Sequence, residues 1–111
     1  MEIDTATAKR WMDRSQDDQG QEVFFLDCRE PNEHQVAHVP GVTLVPMSQW
    51  PPSQGVIGSM QSKRVVVMCH HGGRSLRVTQ WLRANGYPDA MSMSGGIDRW
   101  SVEIDPSVPR Y

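Results

Sequence analysis

The stretch VVVMCHHGGRS, residues 65–75, decides the fold of this 111-residue chain. Residues 65–68 form a short, uninterrupted apolar run, which is typical of a strand buried on both faces of a parallel sheet. The polar loop that follows leads into a segment, 75–85, whose apolar spacing predicts a helix, and Gly86 is the natural stop of that helix. The residues that this helix would turn toward the core are Val78, Trp81 and Leu82.

The same alternation of strands and helices continues on both sides of this stretch. The predicted strands are 23–26, 42–45 and 90–93, and the predicted helices are one that Asp4 or Thr5 begins and that ends within 15–21, and one at 31–36. The segment 46–62 is rich in proline and glycine and predicts mostly irregular structure, with one helical turn near Trp50. Residues 94–98 follow the last strand, and an irregular tail with Pro106 and Pro109 follows them. Alternating strands and helices favour a parallel α/β sheet whose site lies at the carboxyl ends of its strands.

Length and composition predict one domain over residues 1–111, with a core at about 18–103 and an irregular tail. Eleven Lys and Arg residues stand against thirteen Asp and Glu residues, and no block of like charge occurs. This balance excludes an extended nucleic-acid-binding surface. No apolar run approaches the roughly 18 residues of a membrane span, and the acidic start, 1–5, is unlike a secretory signal. We therefore expect a cytoplasmic protein without nucleic-acid or membrane partners.

The chain has two cysteines, Cys28 and Cys69, and no C-x-x-C motif. This usage suggests neither a disulfide framework nor a thiolate zinc site, so at least one thiol should be free. Free cysteines are usually small buried hydrophobic residues, and this interpretation is favoured for Cys28. The surroundings of Cys69 favour a different one.

Cys69 begins a loop that is suited to holding negative charge on sulfur. A thiol attacks as the thiolate, and its pKa of about 8.5 falls at a helix N-terminus or beside a cation. Arg74 supplies a fixed positive charge. Gly72 and Gly73, without Cβ atoms, allow backbone N–H groups to turn inward as an anion-binding nest, and Ser75 suits the N-cap of the following helix. We therefore predict that Cys69 is a catalytic nucleophile.

The histidines next to Cys69 receive a minor role in this prediction. Because an ionised thiolate needs no general base, His70 and His71 are expected to shape the rim or add charge, with at most one facing the sulfur. All three side chains can ligate metals, but their spacing does not suit a closed zinc site, so we expect no metal and no cofactor. His38, in the turn 38–41, is expected to be a hydrogen-bonded turn residue rather than a catalyst.

Four segments of the chain resemble the rhodanese family, specifically its single-domain members. They are LDCREPxE (26–33), AHVPG (37–41), CxxGxRS (69–75) and MSGGIxxW (93–100). They follow the family's order across most of the chain. The resemblance implies a five-stranded parallel α/β sheet flanked by helices on both faces, and transfer of a sulfane sulfur through a persulfide on Cys69. It also implies that Asp27 and Arg29 are structural supports, which brace the loop or pair with Glu33.

The length of the loop separates two relatives of this fold. Phosphatases and arsenate reductases that resemble rhodaneses have a C-x5-R loop, which is wide enough for a tetrahedral oxyanion. Here Arg74 is five positions after Cys69, so the loop is C-x4-R, with room for one extra sulfur atom. This length favours a sulfurtransferase.

We expect a reaction that moves sulfur from a small donor, such as thiosulfate or a persulfide, to a thiol or cyanide-type acceptor. The alternative is a relay module that passes persulfide sulfur to a sulfur-carrier protein. Residues 100–111 favour that alternative, because they are similar to the ends of rhodanese domains fused to adenylating enzymes. A phosphatase or arsenate reductase is the least favoured function.

Overall fold

A computed structural model describes residues 1–111 as a five-stranded sheet covered by helices on both faces. The strands are β1 (Glu2–Ile3), β2 (Val23–Asp27), β3 (Thr43–Leu44), β4 (Arg64–Met68) and β5 (Met91–Met93). The helices are α1 (Thr5–Arg14), α2 (Pro31–Val36), α3 (Gln54–Met60), α4 (Gly73–Ala84) and α5 (Gly96–Glu103), with a 3-10 turn at Met47–Gln49. The strand order is β1-β5-β4-β2-β3 and all neighbours are parallel, which confirms the predicted fold.

The two faces of the sheet bury separate apolar clusters, because successive side chains of a strand point to opposite faces. The cluster under α1 and α5 includes Ala8, Trp11, Phe25, Val66, Met68, Trp100 and Val108. The cluster under α3 and α4 includes Leu26, Met60, Val65, Val67, Val78 and Leu82. The buried side chains of Ala8, Trp11 and Val108 lie outside the range 18–103 that the sequence assigned to the core. The central strand β4 and its neighbour β2 are fixed between the clusters, and so are the residues that directly follow them.

Helices α3 and α5 form where the sequence predicted irregular structure, and that prediction is wrong. The side chain of Ser53 accepts a hydrogen bond from Val56 N at 3.3 Å and caps α3, whose Met60 is buried. Helix α5 buries Ile97 and Trp100. Each segment contains two glycines, which weaken intrinsic helix propensity, but burial of an apolar face stabilises the helix nevertheless.

Trp81 does not face the core as predicted, because 39% of its surface is exposed. The buried residues of α4 follow the spacing i, i+3, i+4, i+7, which places Trp81 beside the buried stripe rather than in it. They are Ser75, Val78, Thr79 and Leu82. Trp81 instead meets Trp50 edge to face on the surface, with ring centroids 5.2 Å apart.

Strand β1 was not predicted either, since two residues carry no periodic signal. It forms because Glu2 and Ile3 pair with Ser92 and Met93 of β5. No helix of the structure combines the length and the apolar character needed to cross a membrane.

Candidate active site

Cys69 directly follows β4, the central strand of the sheet, and is 1% exposed. Helix α4 begins at Gly73, and its N-cap is Gly72, which adopts the left-handed backbone (φ 111°) that glycine tolerates. Ser75 was predicted to be the N-cap, and that prediction is wrong, because Ser75 lies within the first turn of α4. The first N–H groups of a helix have no partner inside it, so they are free to point back at the sulfur.

Three groups from Gly72 and Ser75 lie around the sulfur of Cys69. The Gly72 N–H donates to Sγ at 3.1 Å and the Ser75 N–H at 3.3 Å, while the Ser75 hydroxyl oxygen lies 3.4 Å from Sγ. That hydroxyl is itself placed by Ser92 Oγ at 2.7 Å. We call residues 69–75 the sulfur cradle. It surrounds Sγ with uncharged hydrogen-bond donors.

The cradle keeps its N–H groups turned inward because its carbonyl groups are bound from outside by α5. Ile97 N donates to Cys69 O at 2.8 Å, and Asp98 N donates to His70 O at 3.1 Å. This approach requires glycine at position 96, since a Cβ there would lie 2.4 Å from Cys69 O. The glycines near the start of α5 are therefore part of the site's construction.

The pKa of Cys69 is lowered to about 4. The largest cause is a hydrogen bond from the thiol of Cys28, and the Ser75 hydroxyl and the N–H groups of Ser75 and Gly72 lower it further, while burial opposes them. Cys69 is therefore a thiolate at neutral pH. The same contact raises the pKa of Cys28, which keeps its proton. Cys28 was interpreted as inert core from the sequence; it is fully buried, and it lies in the same buried cluster as Cys69.

Arg74 makes its closest contacts away from the sulfur. Its guanidinium donates to both carboxylate oxygens of Glu33, at 2.6 and 2.8 Å. This pair raises the pKa of Arg74 and lowers the pKa of Glu33 to about 2. The charge that was expected to act on Cys69 is largely neutralised by Glu33, which the sequence did not connect with Arg74.

Asp27 and Arg29 form a buried ion pair, with Arg29 Nη2 2.7 Å from Asp27 Oδ2 and both side chains almost fully enclosed. Arg29 Nη2 also donates to Ala37 O at 2.6 Å, and its Nη1 lies 3.4 Å from Glu33 O. Arg29 therefore fastens the middle of α2, at Glu33, and its C-cap, Ala37, to the end of β2. Glu33 is carried by α2, so this brace positions the partner of Arg74.

Tyr111 completes the rim, which nothing in the sequence signalled. Its hydroxyl donates to Glu33 at 2.8 Å and accepts from Arg29 Nη1 at 2.7 Å. Its ring stacks on His70 with centroids 3.9 Å apart and an angle of 7°. We call Asp27, Arg29, Glu33, Arg74 and Tyr111 the support network.

The two histidines of the cradle lie together at this rim. The His70 ring stacks on His71 with centroids 3.9 Å apart, and burial lowers the pKa of His70, which favours its neutral form. The groups that donate to the sulfur are the backbone amides of Gly72 and Ser75 rather than these imidazoles. No three His, Cys, Asp or Glu side chains converge as a metal site would require.

This arrangement of sheet, cradle and α5 matches a known family: the model of the rhodanese-like domain matches residues 6–103, and the chain belongs to that family. It is 36% identical to the Rhodanese-like/PpiC domain-containing protein 12 of Arabidopsis thaliana over 81% of this chain and 31% of that protein. It is 29% identical to the probable adenylyltransferase/sulfurtransferase MoeZ of Mycobacterium tuberculosis, over 85% of this chain and 24% of that protein. The chain thus spans about a third or less of these relatives.

Two further comparisons cover nearly whole proteins. The thiosulfate sulfurtransferase GlpE of Pseudoalteromonas translucida is 28% identical over 81% of this chain and 84% of that protein. A rhodanese-like domain protein of Staphylococcus aureus has a crystal structure that superimposes with a TM-score of 0.74 and 26% identity, covering 100% of this chain and 99% of that one. Relatives of this chain thus include proteins named as sulfurtransferases.

Proposed function

We propose that this protein is a sulfurtransferase that moves a sulfane sulfur from a donor such as thiosulfate to a thiol or cyanide-type acceptor through a persulfide on Cys69. The observation that carries the proposal is the sulfur cradle, in which N–H donors lie 3.1 and 3.3 Å from Sγ within a C-x4-R loop. The likeness to a thiosulfate sulfurtransferase supports the choice of donor.

The reaction has two steps. The Cys69 thiolate attacks the outer sulfur of thiosulfate, the bond between that sulfur and the sulfite sulfur breaks, and sulfite leaves. The acceptor then attacks the outer sulfur of the persulfide and restores the thiolate. No general base is needed, because the pKa of Cys69 is about 4. The uncharged donors of Gly72 and Ser75 are fixed before the reaction, and they stabilise the negative charge of the thiolate and of the persulfide.

Intact-mass spectrometry tests this proposal. The chain is incubated with thiosulfate and weighed under non-reducing conditions, beside Cys69→Ser and His38→Ala. His38 belongs to a neighbouring motif but is exposed and stacks only on His34, with centroids 4.7 Å apart. We expect one added sulfur atom in the unaltered chain and in His38→Ala, and none in Cys69→Ser. Absence of added sulfur together with hydrolysis of an aryl phosphate would overturn the proposal.

A relay function is the second candidate, with a protein persulfide as donor and a sulfur-carrier protein as acceptor. The likeness to MoeZ favours it. The tail, residues 100–111, also favours it, because it is similar to the ends of rhodanese domains fused to adenylating enzymes, and its Tyr111 packs against the rim of the cradle. The same assay separates the two functions when a cysteine desulfurase with cysteine replaces thiosulfate. Faster loading from the desulfurase than from thiosulfate would establish the relay function instead.

A further inference from the structure

The second cysteine of the chain is the immediate neighbour of the nucleophile across the sheet. Asp27 and Met68 are the last register partners of β2 and β4, and the N–H of Cys28 donates to Met68 O at 3.1 Å. Cys28 and Cys69 are the residues that directly follow this last pair. Neighbouring strands are about 4.8 Å apart, within the range of about 4.4–6.8 Å that Cα atoms of a disulfide span.

Both side chains point to the same face of the sheet. Cys28 and Cys69 belong to the cluster under α3 and α4. Met68, the residue before Cys69, belongs to the opposite cluster. They are 0% and 1% exposed. The Cys28 thiol is thus closed off from external reagents, and Sγ of Cys69 is the sulfur beside it.

The charge on Cys69 decides which of the two thiols reacts first. While Cys69 is a thiolate, its hydrogen bond from Cys28 raises the pKa of Cys28, so that only Cys69 attacks a donor. Once Cys69 carries a second sulfur, the negative charge resides on the outer atom. Sγ then no longer carries the negative charge that kept Cys28 protonated, and the outer sulfur can accept the proton of Cys28.

We propose that Cys28 is an internal acceptor, whose sulfur attacks Sγ of the Cys69 persulfide, forms a Cys28–Cys69 disulfide and releases the outer sulfur as hydrosulfide. The bond between Sγ and the outer sulfur breaks, and the Cys28 proton leaves with that sulfur. The sulfane sulfur is reduced to sulfide, while the two cysteines are oxidised to the disulfide. Two external thiols then reduce the disulfide, are themselves joined as a disulfide, and return the chain to its starting state. This second activity, release of hydrosulfide from thiosulfate at the expense of two thiols, rests on the proposed function.

The fate of the loaded sulfur tests the proposal. The unaltered chain and Cys28→Ser are loaded with thiosulfate, desalted without thiols, and followed by non-reducing intact mass and by trapping of sulfide with monobromobimane. We expect the unaltered chain to pass from one added sulfur atom to a mass two hydrogens below the starting chain, with release of about one sulfide per chain. We expect Cys28→Ser to keep its added sulfur. Proteolysis should yield one peptide pair that joins Cys28 to Cys69.

The outcomes separate this inference from the proposed function. If the unaltered chain keeps its sulfur as long as Cys28→Ser does, Cys28 is not an acceptor, while sulfur transfer through Cys69 stands. If neither chain gains sulfur, both proposals are overturned. Cys28→Ala, which avoids a buried hydroxyl, serves as a second variant, and its thermal unfolding checks that the fold is intact.

Discussion

The sulfur cradle and the support network lie side by side at the carboxyl edge of the sheet, and they handle charge in opposite ways. In the cradle, an anion on Cys69 is surrounded by uncharged donors. In the support network, Arg29 and Arg74 are each bonded to a carboxylate, so their charges cancel nearby. The comparison indicates that fixed dipoles stabilise the reactive sulfur and that ion pairs hold the frame around it.

The largest effect should follow from breaking the buried pair of the support network. Asp27→Ala leaves Arg29, which is 0% exposed, without its carboxylate. Removing one partner of a buried ion pair costs about 3–5 kcal/mol, because the remaining charge is buried and uncompensated. We expect that loss in the free energy of unfolding measured with urea. Asp13→Ala, which breaks an exposed pair with Lys9, is the control and should change stability little.

Gly96→Ala should have the next largest effect, because the added Cβ would lie 2.4 Å from Cys69 O and would separate α5 from the cradle. Gly86 is the matched control, since it also has a positive φ, of 98°, but a Cβ there meets nothing within 4 Å. We expect Gly86→Ala to lower the free energy of unfolding, measured with urea, by about 1–2 kcal/mol because of the left-handed backbone alone. Gly96→Ala should cost about 3 kcal/mol or more, and equal losses would show that the close approach is unimportant.

Ser75→Ala tests whether dipoles stabilise the sulfur. The pKa of Cys69 is about 4, so its thiolate persists at higher pH and is lost as the pH falls through 4. Removing one hydrogen bond to a charged group costs about 1.5 kcal/mol, which raises this pKa by about one unit. The fall in the rate of alkylation by iodoacetamide should therefore move to higher pH by that amount.

The matched variant for that experiment removes the neighbouring charges together. Glu33→Gln combined with Arg74→Gln deletes one charge of each sign, and the donors to Sγ remain. We expect the pKa of Cys69 to move by less than half of the shift in Ser75→Ala. A larger shift in the double variant would mean that charges, not dipoles, hold the thiolate.

The smallest effect should come from the edge of the support network. Tyr111→Phe loses the hydrogen bonds to Glu33 and Arg29 but keeps the ring on His70. We expect the KM for thiosulfate to rise by about threefold, and by about tenfold in Tyr111→Ala, which also loses the stack. The kcat should stay the same because Cys69 is untouched. Identical KM values in the unaltered chain and both variants would show that Tyr111 has no part in binding thiosulfate.

Local patterns were sufficient for the elements that build the site. The apolar run 65–68 predicted β4, the spacing after it predicted α4, and Pro31 correctly marked the start of α2. Helices α3 and α5 were missed because glycines dominated their local signal, although Ser53 and the spacing of Ile97 and Trp100 could have revealed them. Tertiary burial, which propensity does not include, decided these two helices.

By itself, the sequence determined the fold class and the family, and it predicted the nucleophile. Each depends on residues that are close in the chain, such as Cys69 and the glycines after it, whose effect on backbone and thiol is local. Only the tertiary structure decided which groups meet Cys69 and Arg74. Cys28, Glu33 and Tyr111 reach the site from distant parts of the chain, because parallel strands bring their carboxyl ends to one edge. No local pattern encodes a contact that only the register of the sheet and the packing of the tail create.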